Sequence, residues 1–285
     1  MSECVFVCPP IAPLLQQLRG RTVVLNVPEA AELTDAAALA KACGCRLLCV
    51  QLRSGGTLAA LEPHDQWQSL PLAVHVQSVG PMRELQPRLA ALRRLNVRVY
   101  VPASPTGNLT GVRLLSSLGI AATVVFDTPV LDWELLADLC TYALLGRTSH
   151  APIEPFATVA MRYRPDAENS FGDLYFDEPG RFVHVDRDGH TAHSAADLAA
   201  GRYAAPTLGA YLKTEEGLCP PDAACALLAA AGACATCAAF SLCRGAVARQ
   251  GACREGAPAF FAEFADTVEQ HRRTVARAGS PLWQT

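Results

Sequence analysis

Four cysteines near the end of the chain have a spacing that can hold a metal. Cys234, Cys237 and Cys243 follow the pattern C-x2-C-x5-C, and Cys253 lies ten residues after Cys243. Thiolates are the ligands that zinc and iron–sulfur clusters prefer, and a C-x2-C pair places two sulfurs on one tight turn. We therefore predict that these four cysteines bind a single metal centre.

Other interpretations of the cysteines stay open. The four could be buried structural thiols, and if they bind metal, a structural zinc competes with a [4Fe-4S] cluster. Zinc sites usually contain a second close pair, whereas Cys253 stands alone, but thiolate ligands alone do not discriminate between zinc and a cluster. Cys219 and Cys225 are either spare thiols or alternative ligands. Cys49, in an apolar run, and Cys140, in an amphipathic one, are expected in the core.

The composition predicts a folded protein without a membrane or nucleic-acid role. Of the 285 residues, 51% are hydrophobic and 18% charged, which is enough for a large core. The net charge of −3 argues against nucleic-acid binding. The sequence contains no apolar stretch long enough to span a bilayer. The start, Met1-Ser2-Glu3-Cys4, lacks the positive charge of a secretory signal, so we expect a cytoplasmic protein whose cysteines are metal ligands or buried thiols rather than disulfides.

The first half alternates between short apolar runs and amphipathic segments, which predicts an α/β fold with a parallel sheet. Helices are expected over Met82–Leu95, Asn108–Leu118 and Asp132–Leu145. The expected strands are Thr22–Val27, Arg46–Leu52, Leu72–Val76, Val97–Val101 and Ile120–Phe126. Five strands are too few for a closed eight-stranded barrel, so we expect a partial (β/α) barrel with ligand sites at the carboxyl ends of its strands.

The character of the chain changes near residue 150, where we place a boundary between residues 1–150 and residues 151–285. Asp186-Arg187-Asp188-Gly189 is a strong turn signal and predicts a β-hairpin. A last helix is expected to begin near Pro258 and to present Phe260, Phe264 and Val268 on one face.

These features together resemble the radical SAM/SPASM family. The resemblance rests on a β/α half, a hairpin with an Asp-Gly turn and the C-x2-C-x5-C pattern, which matches the ligands of the family's second auxiliary cluster. It implies a partial (β/α) barrel followed by a small cysteine-rich C-terminal SPASM-like domain. The resemblance also implies that Cys234, Cys237, Cys243 and Cys253 bind one auxiliary [4Fe-4S] cluster.

The chain departs from the family where the family's chemistry resides. The family has C-x3-C-x2-C after its first strand, but residues 26–32 contain no cysteine, and Cys4 and Cys8 precede the first expected strand. In the family's Gly-Gly-Glu motif the Glu is replaced here by Thr57, and Val247 occupies the position of a further cluster ligand. The cysteine expected beyond the Asp-Gly turn is His193 or Ser194. The resemblance therefore implies no S-adenosylmethionine chemistry and the loss of the first auxiliary cluster.

The function that this implies is non-catalytic. The chain most resembles the SPASM-domain companion proteins of GeoRSP-type peptide-modification systems, which implies an accessory protein that binds a radical SAM enzyme, a precursor peptide, or both. Two alternatives remain: an iron–sulfur electron-transfer protein or oxidoreductase, and a zinc-stabilised binding module.

Two further motifs have simpler explanations. His184, His190 and His193 crowd the expected hairpin and could bind a metal, but turn formation explains Asp186 and Asp188 better. Ser54-Gly55-Gly56 could cradle an anion with its backbone amides, although a glycine pair alone is weak evidence.

Overall fold

The computed structural model describes residues 4–126, 131–162, 172–178, 180–214, 233–237, 240–243 and 257–277. The fold is α/β. The strands are β1 (Val5–Cys8), β2 (Thr22–Val27), β3 (Arg46–Arg53), β4 (Leu72–His75), β5 (Val97–Pro102), β6 (Ala121–Val125), β7 (Ile153–Glu154), β8 (Phe182–Val185) and β9 (Thr191–Ala192). The α-helices of the described residues are α1 (Ala12–Gln17), α2 (Leu33–Ala42), α3 (Met82–Leu85), α4 (Leu89–Leu92), α5 (Gly107–Ser117), α6 (Trp133–Leu145), α7 (Phe156–Arg162), α8 (Ala195–Ala199), α9 (Leu208–Lys213), α10 (Phe240–Cys243) and α11 (Ala257–Arg277).

All nine strands belong to one sheet with the order β7-β6-β5-β4-β3-β2-β1-β8-β9. Strands β1 to β7 follow one another in space as they do in sequence, which is the order of a (β/α) barrel rather than that of a doubly wound sheet. β8 runs parallel to β1, with Val5 opposite Phe182, and β9 is antiparallel to β8. The α/β class and a mostly parallel sheet are thus confirmed, while the barrel remains a prediction.

The five predicted strands are present as β2 to β6, and three strands of the parallel sheet were not predicted as such. β1 is a four-residue run directly before Pro9, and β7 has only two residues, so neither gives a periodic signal. β8 was predicted as part of a separate hairpin. It does form that hairpin with β9 through the Asp186–Gly189 turn, but it also pairs with β1.

The predicted helices are present with one correction. The segment predicted as a single helix over Met82–Leu95 is divided into α3, a 3-10 turn over Gln86–Arg88, and α4. Pro87 explains the division because proline has no backbone N–H and disfavours helix in the residue before it. Gly119, with φ of 82°, follows the end of α5 as predicted.

The chain divides into two compact units, each built from two separate segments. One unit comprises Met1–Tyr100 with Gly172–Leu227, and the other comprises Val101–Phe171 with Leu228–Thr285. Each unit therefore includes residues from both sides of the boundary predicted near residue 150. The pairing of β8 with β1 accounts for this in the first unit. A SPASM-like domain over residues 151–285 stays a prediction.

The second unit has an aromatic core between α6, α7 and α11. Phe260, Phe264 and Val268 are buried on one face of α11, as predicted. Phe264 meets the ring of Phe156 edge-on at 5.4 Å, and Phe260 lies 5.3 Å from the ring of Trp133. Within the described residues, no helix combines the length and apolar character needed to cross a membrane.

Candidate functional site

Three of the four predicted metal ligands lie in the described part of the chain. Cys234 belongs to a 3-10 turn over Ala233–Thr236, and Cys237 follows that turn. The backbone N–H of Cys237 donates to the carbonyl of Cys234 at 3.3 Å, so the C-x2-C pair does sit on one turn. Cys243 ends α10 and is buried, whereas Cys234 and Cys237 are half-buried. Cys253 lies outside the described residues.

The sulfurs of these three cysteines are not gathered as tightly as a single metal ion requires. A tetrahedral zinc ion with Zn–S bonds of about 2.3 Å brings its ligand sulfurs to roughly 3.8 Å from one another. Among the described residues, the one group of three ligand atoms within 4.8 Å of one another is formed by Asp186, Asp188 and His190. A four-iron cluster binds each thiolate through a different iron, so its ligand sulfurs lie further apart than those around one zinc ion.

The Asp186–His190 group is explained by its turn. Asp186 Oδ1 accepts hydrogen bonds from the backbone N–H groups of Asp188 and His190, both at 2.9 Å. Asp186 Oδ2 lies 2.8 Å from His190 Nδ1. The carboxylate is therefore occupied by turn hydrogen bonds, as the sequence analysis expected of this segment.

The remaining described cysteines do not form a second cluster. Burial raises the pKa of Cys8, Cys49 and Cys140 to about 12, with smaller effects of neighbouring groups, so these three thiols stay protonated. This fits the core positions expected for Cys49 and Cys140. Cys4 is disulfide-bonded, which corrects the expectation of thiols rather than disulfides at this position.

The Ser54–Thr57 segment is a structured loop beside a surface cavity. Ser54 Oγ accepts a hydrogen bond from the backbone N–H of Gly56 at 3.2 Å, and Thr57 bridges to Ser78 as in a parallel sheet. The cavity beside it has a volume of about 630 Å³ and is lined by apolar side chains, such as Trp67, together with the carboxylates of Asp35 and Glu62. Glu62 is paired with Arg88, and the carboxylate of Asp35 disfavours an anion in this cavity, so the structure does not support the anion-cradle interpretation.

A partly buried polar cluster, which the sequence analysis missed, lies in the first unit at the carboxyl ends of β3 and β4. It consists of Gln51, Arg53 and His75, and we call it the β3–β4 polar cluster. Arg53 and His75 are direct neighbours in the parallel register, and Gln51 lies on the same face of β3 because it is two residues before Arg53. Arg53 Nη2 donates to Gln51 Oε1 at 3.2 Å.

Aromatic and acidic groups surround this cluster. Tyr100 is opposite His75 on β5, and its hydroxyl donates to the carbonyl of Leu174 at 2.8 Å. Asp177, three residues later, accepts from the backbone N–H of Ala195 at 2.8 Å. Its Oδ1 also lies 3.0 Å from His184 Nε2, a close contact without the alignment of a hydrogen bond.

The electrostatics of the cluster follow from its position. Burial lowers the pKa of His75 to about 3, and the charge of Arg53 adds to the effect, so the imidazole is neutral near pH 7. Partial desolvation of the guanidinium also lowers the pKa of Arg53, and the negative charge of Asp177 opposes that change. The side chain of Arg53 nevertheless stays exposed to solvent, and a guanidinium keeps its charge at any physiological pH. In the sequence, the one sign of this cluster is that the apolar strands β3 and β4 both end in polar residues.

No protein-family model matches the chain, and no curated protein matches it either.

Proposed function

We propose that this chain is a non-catalytic accessory protein of a ribosomal peptide-modification system. It would hold one auxiliary [4Fe-4S] cluster on Cys234, Cys237, Cys243 and Cys253 and bind a radical SAM enzyme, a precursor peptide, or both. The observation that carries the proposal is the cysteine distribution: a C-x2-C turn followed by Cys243 late in the chain, with no cysteine triad after the first strand.

The region after the first strand supports the non-catalytic part. The first strand is β1, and the residues that connect it to α1, Pro9 to Ile11, include no cysteine. Cys8, at the carboxyl end of β1, is a buried thiol with its pKa raised to about 12, and Cys4 is disulfide-bonded. Reductive cleavage of S-adenosylmethionine needs three thiolates around a cluster with one open iron. Residues 1–42 contain only two cysteines, Cys4 and Cys8, and Cys4 is disulfide-bonded, so this region does not contain the three thiolates.

The spacing of the C-terminal cysteines, which resembles the auxiliary-cluster pattern of the radical SAM/SPASM family, leads us to propose iron rather than zinc. Their C-x2-C turn is half-buried, so a bound centre would be close to the surface. When bound, the cluster would link α10 to the segments around it and contribute folding energy, as metal sites in small cysteine-rich regions do.

The sheet offers a means of binding a peptide or a partner. An extended peptide can add to a sheet edge through its backbone hydrogen bonds, although β7, an edge strand of the described sheet, has only two residues and both are buried. A cytoplasmic location fits the eight described cysteines that are free thiols, since that compartment keeps thiols reduced, whereas the disulfide of Cys4 does not follow from such a location.

The test is anaerobic reconstitution with iron and sulfide, followed by metal analysis and electron paramagnetic resonance. We expect about four irons per chain, and we expect C237S to lose them. C140S is the matched control because Cys140 is a buried free thiol of α6 outside the predicted ligand set, and it should retain the iron. Zinc in place of iron would favour the zinc-stabilised binding module instead.

The non-catalytic part has its own measurement. Reconstituted and reduced protein should produce no 5′-deoxyadenosine from S-adenosylmethionine, alone or with a model peptide. Production of 5′-deoxyadenosine by the wild-type chain would overturn the proposal. A radical SAM enzyme encoded beside this chain should bind it in size-exclusion chromatography, and the absence of binding to such an enzyme and to its precursor peptide would contradict the accessory role.

A further inference from the structure

The β3–β4 polar cluster lies where parallel sheets usually bind their ligands. Gln51, Arg53 and His75 project from one face at the carboxyl ends of two adjacent parallel strands. In α/β folds, ligand sites form outside these strand ends because the loops there can vary without disturbing the sheet. None of the three residues belongs to the predicted metal site.

Gln51 supplies the observation that points to a ligand. Its side chain is completely buried, at 0% exposure. Its Oε1 accepts from Arg53, but Nε2 has no hydrogen-bond partner among the described residues. An unpaired buried donor costs free energy, so proteins rarely retain one unless something else fills it. The missing partner must be an acceptor, and the buried Oδ1 of Asn26, the register neighbour of Gln51 on β2, also has no partner among the described residues and competes with a ligand for this donor.

Arg53 supplies the charge that an anionic acceptor needs. The guanidinium has five N–H donors, and among the described residues only Gln51 Oε1 accepts from it. The side chain is exposed to solvent, so a ligand can reach the remaining donors. A guanidinium fork matches the two oxygens of a carboxylate or a phosphate.

His75 adds a third group and no competing charge. Its buried Nε2 has no partner among the described residues. The ring is held in place by stacking on Tyr100 at 4.4 Å. As a neutral tautomer with a proton on Nε2 it would donate to the same anion. Asp177 accepts from the backbone N–H of Ala195, and its negative charge also acts on Arg53, so a bound anion would compete with it.

We propose that Gln51, Arg53 and His75 form a binding site for a small oxyanion, a carboxylate or a phosphate, in the first unit. The anion would accept from the Arg53 fork and from Gln51 Nε2. The site is independent of the proposed iron–sulfur cluster, so the outcome of one test does not determine the outcome of the other.

The test uses two probes, inorganic phosphate and acetate, in a low-salt buffer that contains neither. Selective labelling of glutamine side chains and histidine rings allows binding to be followed by NMR on the wild-type chain. We expect saturable shifts of the Gln51 amide and the His75 ring. Saturation by phosphate alone assigns the site to phosphate groups, and stronger binding of acetate assigns it to carboxylates. If neither the Gln51 amide nor the His75 ring shifts with either probe, the proposal is wrong.

Matched variants separate the site from general charge effects. R53Q should weaken binding of the preferred probe at least tenfold, and R53K should weaken it less because it keeps the charge but not the fork. R46Q is the control, since Arg46 begins the same strand that Arg53 ends, and it should bind as the wild type does. Equal weakening by R46Q and R53Q would contradict a specific site. Unfolding curves show whether each variant is folded. If R53Q does not fold, the spectra of the wild-type chain with the two probes decide whether the site exists.

Discussion

The ring of His75 stacks on the ring of Tyr100, with centroids 4.4 Å apart and planes inclined by 18°. The two residues are also direct neighbours across β4 and β5. Because the Tyr100 hydroxyl is anchored to the Leu174 carbonyl, the pair holds the imidazole in a fixed position beside Arg53.

This arrangement predicts a dependence of stability on pH. The pKa of His75 is lowered to about 3 by burial and by Arg53, whereas a histidine in an unfolded chain has a pKa of about 6.5. Between these values the unfolded state binds the proton more readily. The contribution of His75 to the free energy of unfolding is therefore complete above about pH 6.5 and is lost toward pH 3, at up to about 1.4 kcal/mol per pH unit.

Urea unfolding at pH 7 and pH 4.5 measures this effect. The wild type should lose more stability between the two pH values than H75Q does, and H64Q, at an exposed histidine of the same unit, should behave like the wild type. The same loss in the wild type and in H75Q would show that His75 does not cause the dependence.

Gly80 is a second point where the structure makes a sharp prediction. Its φ is 81°, and a Cβ there would lie 2.9 Å from Ala59 Cβ and 3.0 Å from Thr57 Cβ. G80A should therefore lower the free energy of unfolding by about 1–3 kcal/mol, through backbone strain and the clash. G55A is the control because a Cβ at Gly55 would meet nothing within 4 Å. Chemical denaturation of both variants decides the point, and equal stabilities would count against the loop conformation.

The aromatic core of the second unit depends on Phe264. This side chain has an exposure of 1% and packs edge-on against Phe156. F264A should cost about 3–5 kcal/mol because it leaves a cavity as well as removing apolar contact. M161A should change the stability by less than about 0.5 kcal/mol, since Met161 is 58% exposed. A cost for F264A as small as that for M161A would indicate that α11 does not pack as described.

Helix α6 depends on its N-cap. Asp132 Oδ1 accepts from the backbone N–H of Leu135 at 3.0 Å. D132A should lower the stability by about 1 kcal/mol, whereas D132N keeps a side-chain acceptor and should cost less. Thermal unfolding of the two variants distinguishes the hydrogen bond from the charge, and equal losses would mean that the charge at the helix start is responsible.

The sequence predicted the elements with strong periodicity and missed those defined by distant pairing. β2 to β6 and the helices α5, α6 and α11 follow from apolar spacing and from glycine and proline positions. β8 could not be placed, because pairing with β1 depends on where the chain returns after more than 150 residues. Local patterns do not contain that information.

The candidate sites show the same limit. The cysteine spacing predicted correctly that Cys234 and Cys237 share a turn, because a C-x2-C pair is a local feature. The β3–β4 polar cluster arises from the lateral register of two strands and from a buried amide without a partner. Gln51 in an apolar run and His75 at the end of another carry no motif, so only the assembled sheet brings them together.

The pairing of β1 with β8 also sets an order on folding during translation. Val5 emerges from the ribosome long before its neighbour Phe182 does. Until then β1 has a neighbour on one side only, β2, and its other side exposes unpaired backbone groups that can attract other chains. The nascent protein is thus expected to need protection at this edge until its last parallel strand arrives.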